Sequence, residues 1–349
     1  MYTLEVMRIP GTAVALTPIS HGEIPPEGRE TNIIRFRRIP ILKQGLSNEA
    51  ERIDVPVISG NAVRGLGRRL LFDTMVDALG GRQEVEEYLP SKTADKRMVW
   101  YFLRVGGATE KGIKVMSTDY KSYIELQDKI PTLALFGGSF QGHPFESKCR
   151  IGFMIAITQE TKRFFEDAMG GADSPGWRMI EETAEEFFGG KVFPDSTAFS
   201  VTGNIYTSNN SSEIRYSRMK EPGTEEGIKE AGIYGVEIMP VGTQFGQLSV
   251  LTSDEEPMKL AFRALFSLIQ KRGVLGGMSS KGHGMAKIRY LGVEPDKDVK
   301  LFVEYCKDHE KEIKDAIKSI PDVLRYTWDS KANNNEEGGE NGGKRRGRR

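Results

Sequence analysis

The sequence predicts an α+β fold with a ferredoxin-like core of order βαββαβ, large helical insertions and an inserted β-hairpin. Three observations carry this. Four segments read as strands: Tyr2 to Thr17, whose first residues alternate, Lys148 to Thr158, which alternates, Gly242 to Thr252 and Gly284 to Val293. Two segments have helical periodicity, Asn61 to Leu79 and Glu255 to Arg272, and they fall between the first and second and between the third and fourth strands. Once the remaining stretches are set aside as insertions, the order is that of an RRM-like fold.

Taken in order, Tyr2 to Thr17 is a long extended stretch, followed by a polar loop containing Pro and Gly. The helix from Asn61 ends at Gly80-Gly81, where glycine accommodates the reversal. The first insertion, about 82–147, holds helices near Ser91 to Arg104 and Thr118 to Lys129 and a turn at Gly137-Gly138. The second, about 159–241, holds helices near Gln159 to Met169 and Pro175 to Phe188, then an extended hairpin over Ser196 to Val241 with a polar tip. Lys297 to Ser319 reads as a charged, exposed helix. Residues 1–330 therefore form one domain, and from Lys331 the chain has too little to bury and is expected to be a disordered basic tail.

Composition narrows the classes. The chain has 349 residues, 38% hydrophobic and 28% charged, with no apolar run able to cross a bilayer and no signal-peptide core at its start, so a cytoplasmic protein is expected. Cys149 and Cys306 are far apart and lack CxxC or CxxH partners, which suggests neither a disulfide framework nor a zinc site. Formal net charge is zero, but its distribution is uneven. Between Arg29 and Arg69 there are nine Lys and Arg against four acids, and the chain ends in KRRGRR. Acids gather at Glu181, Glu182, Glu185 and Glu186 and at Glu225, Glu226 and Glu230. Such segregation suits a protein that holds a polyanion on one face.

The sharpest motif is VPVISGNAVRGLGRR from Val55 to Arg69, an apolar strand, a Ser-Gly-Asn turn and a helix start. Gly65 and Gly67 each cost the helix about 1 kcal/mol relative to alanine, which suggests close approach to the backbone. Arg64 and Arg68 share a face at i, i+4 spacing with Asn61 three residues before, a pattern that fits a phosphate at a helix N-terminus or a capped helix with solvated arginines. A second glycine-rich stretch, GVLGGMSSKGHG at Gly273 to Gly284, lets backbone N–H groups turn toward an anion, with Lys281 and His283 adding charge or hydrogen bonds. It lacks the Walker A spacing, and it precedes a strand where a dinucleotide fingerprint follows one; a tight helix-to-strand turn is the plainer alternative.

Together, P-x-I-S-G-N-x-x-R-G at Pro56 to Gly65 and G-G-x-x-x-x-G-x-G at Gly276 to Gly284 resemble the repeat-associated RNA-binding (RAMP) proteins of CRISPR systems. More narrowly, they resemble the backbone subunit that polymerises along the guide RNA of class 1 effector complexes. Glu213-Ile214-Arg215, followed by Glu237, Pro240, Val241, Gly242, Thr243 and Phe245, is similar to a third signature of that subunit. His21-Gly22, the NIIRFRR segment at Asn32 to Arg38 and the VPVISGNAVRG wording look closest to the type IV form, with type I-D and type III equivalents as alternatives. The resemblance implies guide-RNA contacts at Ser59, Gly60, Asn61, Arg64, Arg68, Arg35, Arg37, Arg38, His21, Gly276, Gly277, Lys281 and His283. It also implies a hairpin thumb over Tyr206 to Glu237 bearing Arg215, Tyr216, Arg218 and Met219. The implied partners are guide RNA, target DNA or RNA paired to it, further copies of the chain and other effector subunits, with no membrane and no cofactor.

In type III relatives an aspartate after the first strand cleaves target RNA, and the alternative function is accordingly an endoribonuclease acting on target or precursor RNA. The corresponding loop, Ser20 to Ile53, contains no aspartate; Asp54 stands just before the VPVISG strand. His21 is the candidate for a metal-free general base, against a structural role as hydrogen-bonder or phosphate contact. The expectation is a non-catalytic protein without a metal site.

Overall fold

The computed structural model describes residues 6–22, 33–44, 50–89, 93–107, 120–140, 143–196, 205–206, 216–217 and 233–336. Strand β1 (Val6–Ala15) is buried from Ile9 to Ala15 without alternation, the pattern of a strand covered on both faces. It is flanked by β12 (Gln244–Thr252), in register from Val6↔Thr252 to Val14↔Gln244, and by β13 (Ala286–Tyr290), from Gly11↔Tyr290 to Ala15↔Ala286. With β8 (Met154–Ala156), β4 (Ala50–Ile58) and β3 (Arg38–Gln44), the order across the sheet is β13-β1-β12-β8-β4-β3, every pair antiparallel. Helix α1 (Gly60–Ala78) precedes β8, and α8 (Glu256–Arg272) joins β12 to β13 across β1.

Two sequence expectations change here. The single strand expected over Lys148 to Thr158 is two pieces, β7 (Cys149–Ile151) and β8, both paired to β12. From Ile151 to Ile155 the chain advances four residues while its partner moves three, from Ser249 to Gly246, so one extra residue bulges out. Gly152 sits at the bulge, where a Cβ would lie 2.2 Å from the Leu248 carbonyl oxygen. The loop expected over Ser20 to Ile53 contains β3, which forms a hairpin with β4 from Arg38↔Pro56 to Gln44↔Ala50. Ile41 and Ile53 face each other across it and pack on the core, while Leu42 and Arg52 are exposed. Pro40 fits because β3 is the outermost strand, where a missing N–H breaks no ladder.

Alternation along β12 separates two cores. Phe245 points into the main core with α1 and α8. Its neighbour Gly246 faces Phe165 of α6 (Gln159–Ala168), which with Trp177, Ile180 and Ala184 of α7 (Pro175–Phe188) forms a second core on the other face. Around α1 pack α2 (Arg82–Tyr88), α3 (Thr93–Val105) and α5 (Pro131–Phe136), with α4 (Tyr120–Lys129) against α5, followed by a hairpin of β5 (Gly138–Phe140) and β6 (His143–Phe145).

The segment expected as one exposed, charged helix is two helices, α9 (Pro295–Asp308) and α10 (Glu310–Glu336). Phe302, Cys306, Ile313, Ile317 and Ile320 are buried in the main core. Even Lys314 is buried, donating to Glu310 at 2.5 Å and to Glu84. Helix α10 continues through Glu336, so the stretch 331–336 is helical rather than part of a disordered tail; residues 337–349 lie outside the described residues.

A small second sheet forms around β11 (Ile233–Glu237), which pairs parallel with β2 (Ile33–Ile34) and antiparallel with β9 (Ile205–Tyr206) and β10 (Tyr216–Ser217). Of the expected hairpin residues, Tyr216 pairs through its backbone with Tyr234. Glu213, Ile214, Arg215, Arg218 and Met219 lie outside the described residues.

Candidate nucleic-acid interface

The turn from β4 into α1 is held by two hydrogen bonds. Ser59 caps the helix, its hydroxyl accepting the Ala62 N–H at 3.2 Å, and the Ser59 N–H donates to Nε2 of His21 at 3.0 Å. His21 is therefore a neutral imidazole with its proton on Nδ1, and the lone pair a general base would use is engaged. Burial, and then the charge of Arg37, hold its pKa below the ordinary histidine value.

Facing this turn is the glycine loop. Gly276, Gly282 and Gly284 have φ of 77°, 82° and 89°, and a Cβ on Gly284 would lie 2.1 Å from the Leu275 carbonyl oxygen. The loop is clasped to the strand after β1: Gly277 N–H to Ser20 O at 2.7 Å, Ser20 hydroxyl to Gly277 O at 2.9 Å, and Gly284 N–H to Pro18 O at 2.9 Å. These N–H groups serve the clasp, which corrects the expectation that the loop turns them toward an anion at Gly277 and Gly284. Lys281 is exposed beside the loop, and His283 is buried, its pKa lowered by burial first and by Lys281 second.

Between the α1 start and the loop lies a cavity of about 500 Å³, lined by His21, Asn61 and Gly65, by Gly276 and Gly277, and by Arg69 and Arg272. Both arginines are exposed. The two motifs, some 200 residues apart in sequence, thus share one cavity.

The arginines singled out by spacing sit elsewhere. Arg64 donates to the Phe136 carbonyl, and Arg68, only 5% exposed, donates to Gly137 O at 2.5 Å and lies over the Phe136 ring. Burial, and secondarily Arg64, lower the Arg68 pKa to about 10, so it stays protonated at neutral pH. The pair satisfies the carbonyls at the end of α5, one helical step round from the groove, and Arg68 is not placed to meet a phosphate there. Gly67 answers to packing, since a Cβ would lie 2.0 Å from Leu265 Cδ1 on α8; a Cβ on Gly60 would likewise lie 2.2 Å from the Ile151 carbonyl oxygen. Gly65 alone of the three lines the cavity; a Cβ there would meet Arg69 Nη1 at 3.6 Å, an ordinary contact.

Among the other basic residues expected at the site, Arg38 is engaged in a two-pronged pair with the buried Glu237, at 2.5 and 3.0 Å, and Glu237 also accepts the Phe36 N–H at 2.8 Å. Arg35 is exposed; Arg37 is partly buried, its backbone N–H donating to His21 O at 2.9 Å. Over β1, β12 and β8 the sheet face opposite α1 is covered by α6 and α7. No group of three His, Cys, Asp or Glu able to hold a metal occurs among the described residues, and no described helix is long and apolar enough to cross a membrane.

Both histidines at the site are held below the usual value near 6.5, so the unfolded chain binds protons first as pH falls. Stability is complete above about pH 6.5 and declines through the window below it, down to the folded-state pKa values. Melting temperature should fall between pH 7.5 and 5.5, and His21→Gln should flatten the decline; a flat wild-type profile would contradict the assignment.

What fold and site define is an α+β protein with a glycine-edged groove carrying two exposed arginines. No family profile and no curated protein matches the sequence. Among solved structures, the chain is similar to a chain of one described as "Type IV-B CRISPR Complex", at 16% sequence identity, covering 82% of this chain and 91% of that chain, with a TM-score of 0.42.

Proposed function

We propose that this chain is a non-catalytic, multi-copy backbone subunit of a CRISPR ribonucleoprotein, of the RAMP superfamily and nearest the type IV form. It binds the phosphate backbone of guide RNA and presents the bases to target DNA or RNA. The observation that carries the reading is the shared cavity: two motifs distant in sequence line one groove, and Arg69 and Arg272 are exposed cations among its lining residues. The groove offers cationic side chains and glycine backbone, which suits recognition of a guide irrespective of its sequence.

The proposed core is ferredoxin-like. The order β13-β1-β12-β8, with α1 and α8 as the two crossovers, supports it, and β3-β4 extend the sheet. The strands around β11 are the proposed base of the thumb. The proposed single domain, with its two insertions, runs at least to Glu336, and its setting is the cytoplasm with other effector subunits. The engaged lone pair of His21 supports the non-catalytic reading over the endoribonuclease.

Purification of the protein with the products of neighbouring genes, followed by sequencing of the RNA that accompanies it, tests this. Short RNAs sharing a repeat-derived end are expected; their absence would refute the role.

A further inference from the structure

Among the described residues Met278 is the one non-glycine residue at positive φ, 58°. That region is unfavourable for any residue with a Cβ and natural for glycine. The loop has glycine at 276, 277, 282 and 284, yet methionine stands at the strained position. Its side chain is engaged: with Ile34 of β2, the partly buried Met278 packs against the small apolar cluster of Val236, on β11, and Ile238, which is separate from the two cores. The backbone knits the same elements together. Ile19 and Met239 exchange hydrogen bonds at 3.0 and 2.8 Å, and the next residue, Ser20, pairs with Gly277. The segment 19–20 thus lies between the groove loop and the stretch just after β11, and Met278 bridges the loop to that same region by side-chain contact.

We infer that Met278 is a positioning residue: it latches the glycine loop to β11, so that occupation of the groove and the placement of the inserted strands are coupled. The strained backbone is tolerated because the latch needs a side chain at that position, and relaxing the strain releases the latch. The inference rests on the proposed function only for the identity of the ligand, the phosphate backbone of single-stranded RNA.

Hydrogen exchange on the full chain tests it with Met278→Gly, which removes both anchor and strain, and Met278→Leu, which keeps an apolar anchor. Without ligand, Met278→Gly should raise exchange at least about tenfold both in the loop 276–284 and in 236–239, with an unchanged or higher melting temperature, and Met278→Leu should restore the slow rates. A merely structural role would lower the melting temperature instead. Unchanged exchange at 236–239 in Met278→Gly would overturn the latch. On addition of a short single-stranded RNA oligonucleotide, protection should spread to 236–239 in the wild type and stay at the groove in Met278→Gly, with about tenfold weaker binding. Equal spread in both would overturn the coupling. If the wild type binds no RNA, the proposed function fails on that result, while the ligand-free comparison still decides the latch.

Discussion

Glu237→Ala is expected to lower the stability of the fold by about 3–5 kcal/mol, the range for breaking a buried ion pair by removing one partner. The Glu237 side chain is fully buried, and its two oxygens receive both Arg38 guanidinium nitrogens and the Phe36 N–H. Truncation leaves a mostly buried guanidinium and a buried N–H without their acceptor, so the cost is desolvation as much as lost attraction. The effect reaches beyond stability, because Phe36 precedes and Arg38 begins β3 while Glu237 ends β11, and bridges at Gly22↔Phe36 and Ile19↔Met239 tie both to the segment bearing His21. In urea the unfolding midpoint should fall with the slope unchanged, and replacement of both partners by methionine should recover part of the loss. A change below about 1 kcal/mol would show that this pair does not tie β3 to β11.

Arg68→Ala should cost about 2–4 kcal/mol, through the void left by its buried stem and the unsatisfied Gly137 carbonyl. Its guanidinium lies over Phe136 and within 2.5 Å of Gly137 O, so it joins α1 to the end of α5. Arg68→Lys should restore little, since a single ammonium cannot both stack and reach that carbonyl. The measurement is again the unfolding midpoint, compared with Arg69→Ala, whose exposed side chain predicts a change within about 0.5 kcal/mol. Equal effects at the two positions would contradict the division between structural and groove-facing arginines.

That division shows where the sequence is legible and where it is not. The core element order follows from periodicity, and the segments at β1, α1, β12, α8 and β13 occur where alternation and helical spacing place them. The arginines are ambiguous in sequence: Arg68 and Arg69 are adjacent and face about 100° apart on α1, and only the position of α5 decides which side of the helix is covered. Arg272 reads in sequence as an ordinary last-turn cation; its place at the cavity depends on how α8 meets α1. The β3 hairpin escapes because Pro40 and its charged residues resemble a loop, although Ile39, Ile41, Ile53 and Val55 alternate. The buried face of α9 and α10 is present in the spacing of Phe302, Cys306, Ile313, Ile317 and Ile320, masked by the lysines and acids between them. Met278 carries no sequence signal at all, since its strain and its partners on β11 exist only in three dimensions.

The central claim, that this groove holds an RNA backbone, is tested most directly by the salt dependence of binding to a single-stranded RNA oligonucleotide. Each phosphate neutralised contributes about 0.7 to the slope of log affinity against log salt, so Arg69→Ala with Arg272→Ala should make the slope shallower by about 1.4 and weaken binding at low salt. Arg64→Ala with Arg68→Ala, measured where the protein remains folded, should leave the slope as it is. An unchanged slope in the Arg69 and Arg272 double variant would contradict the account.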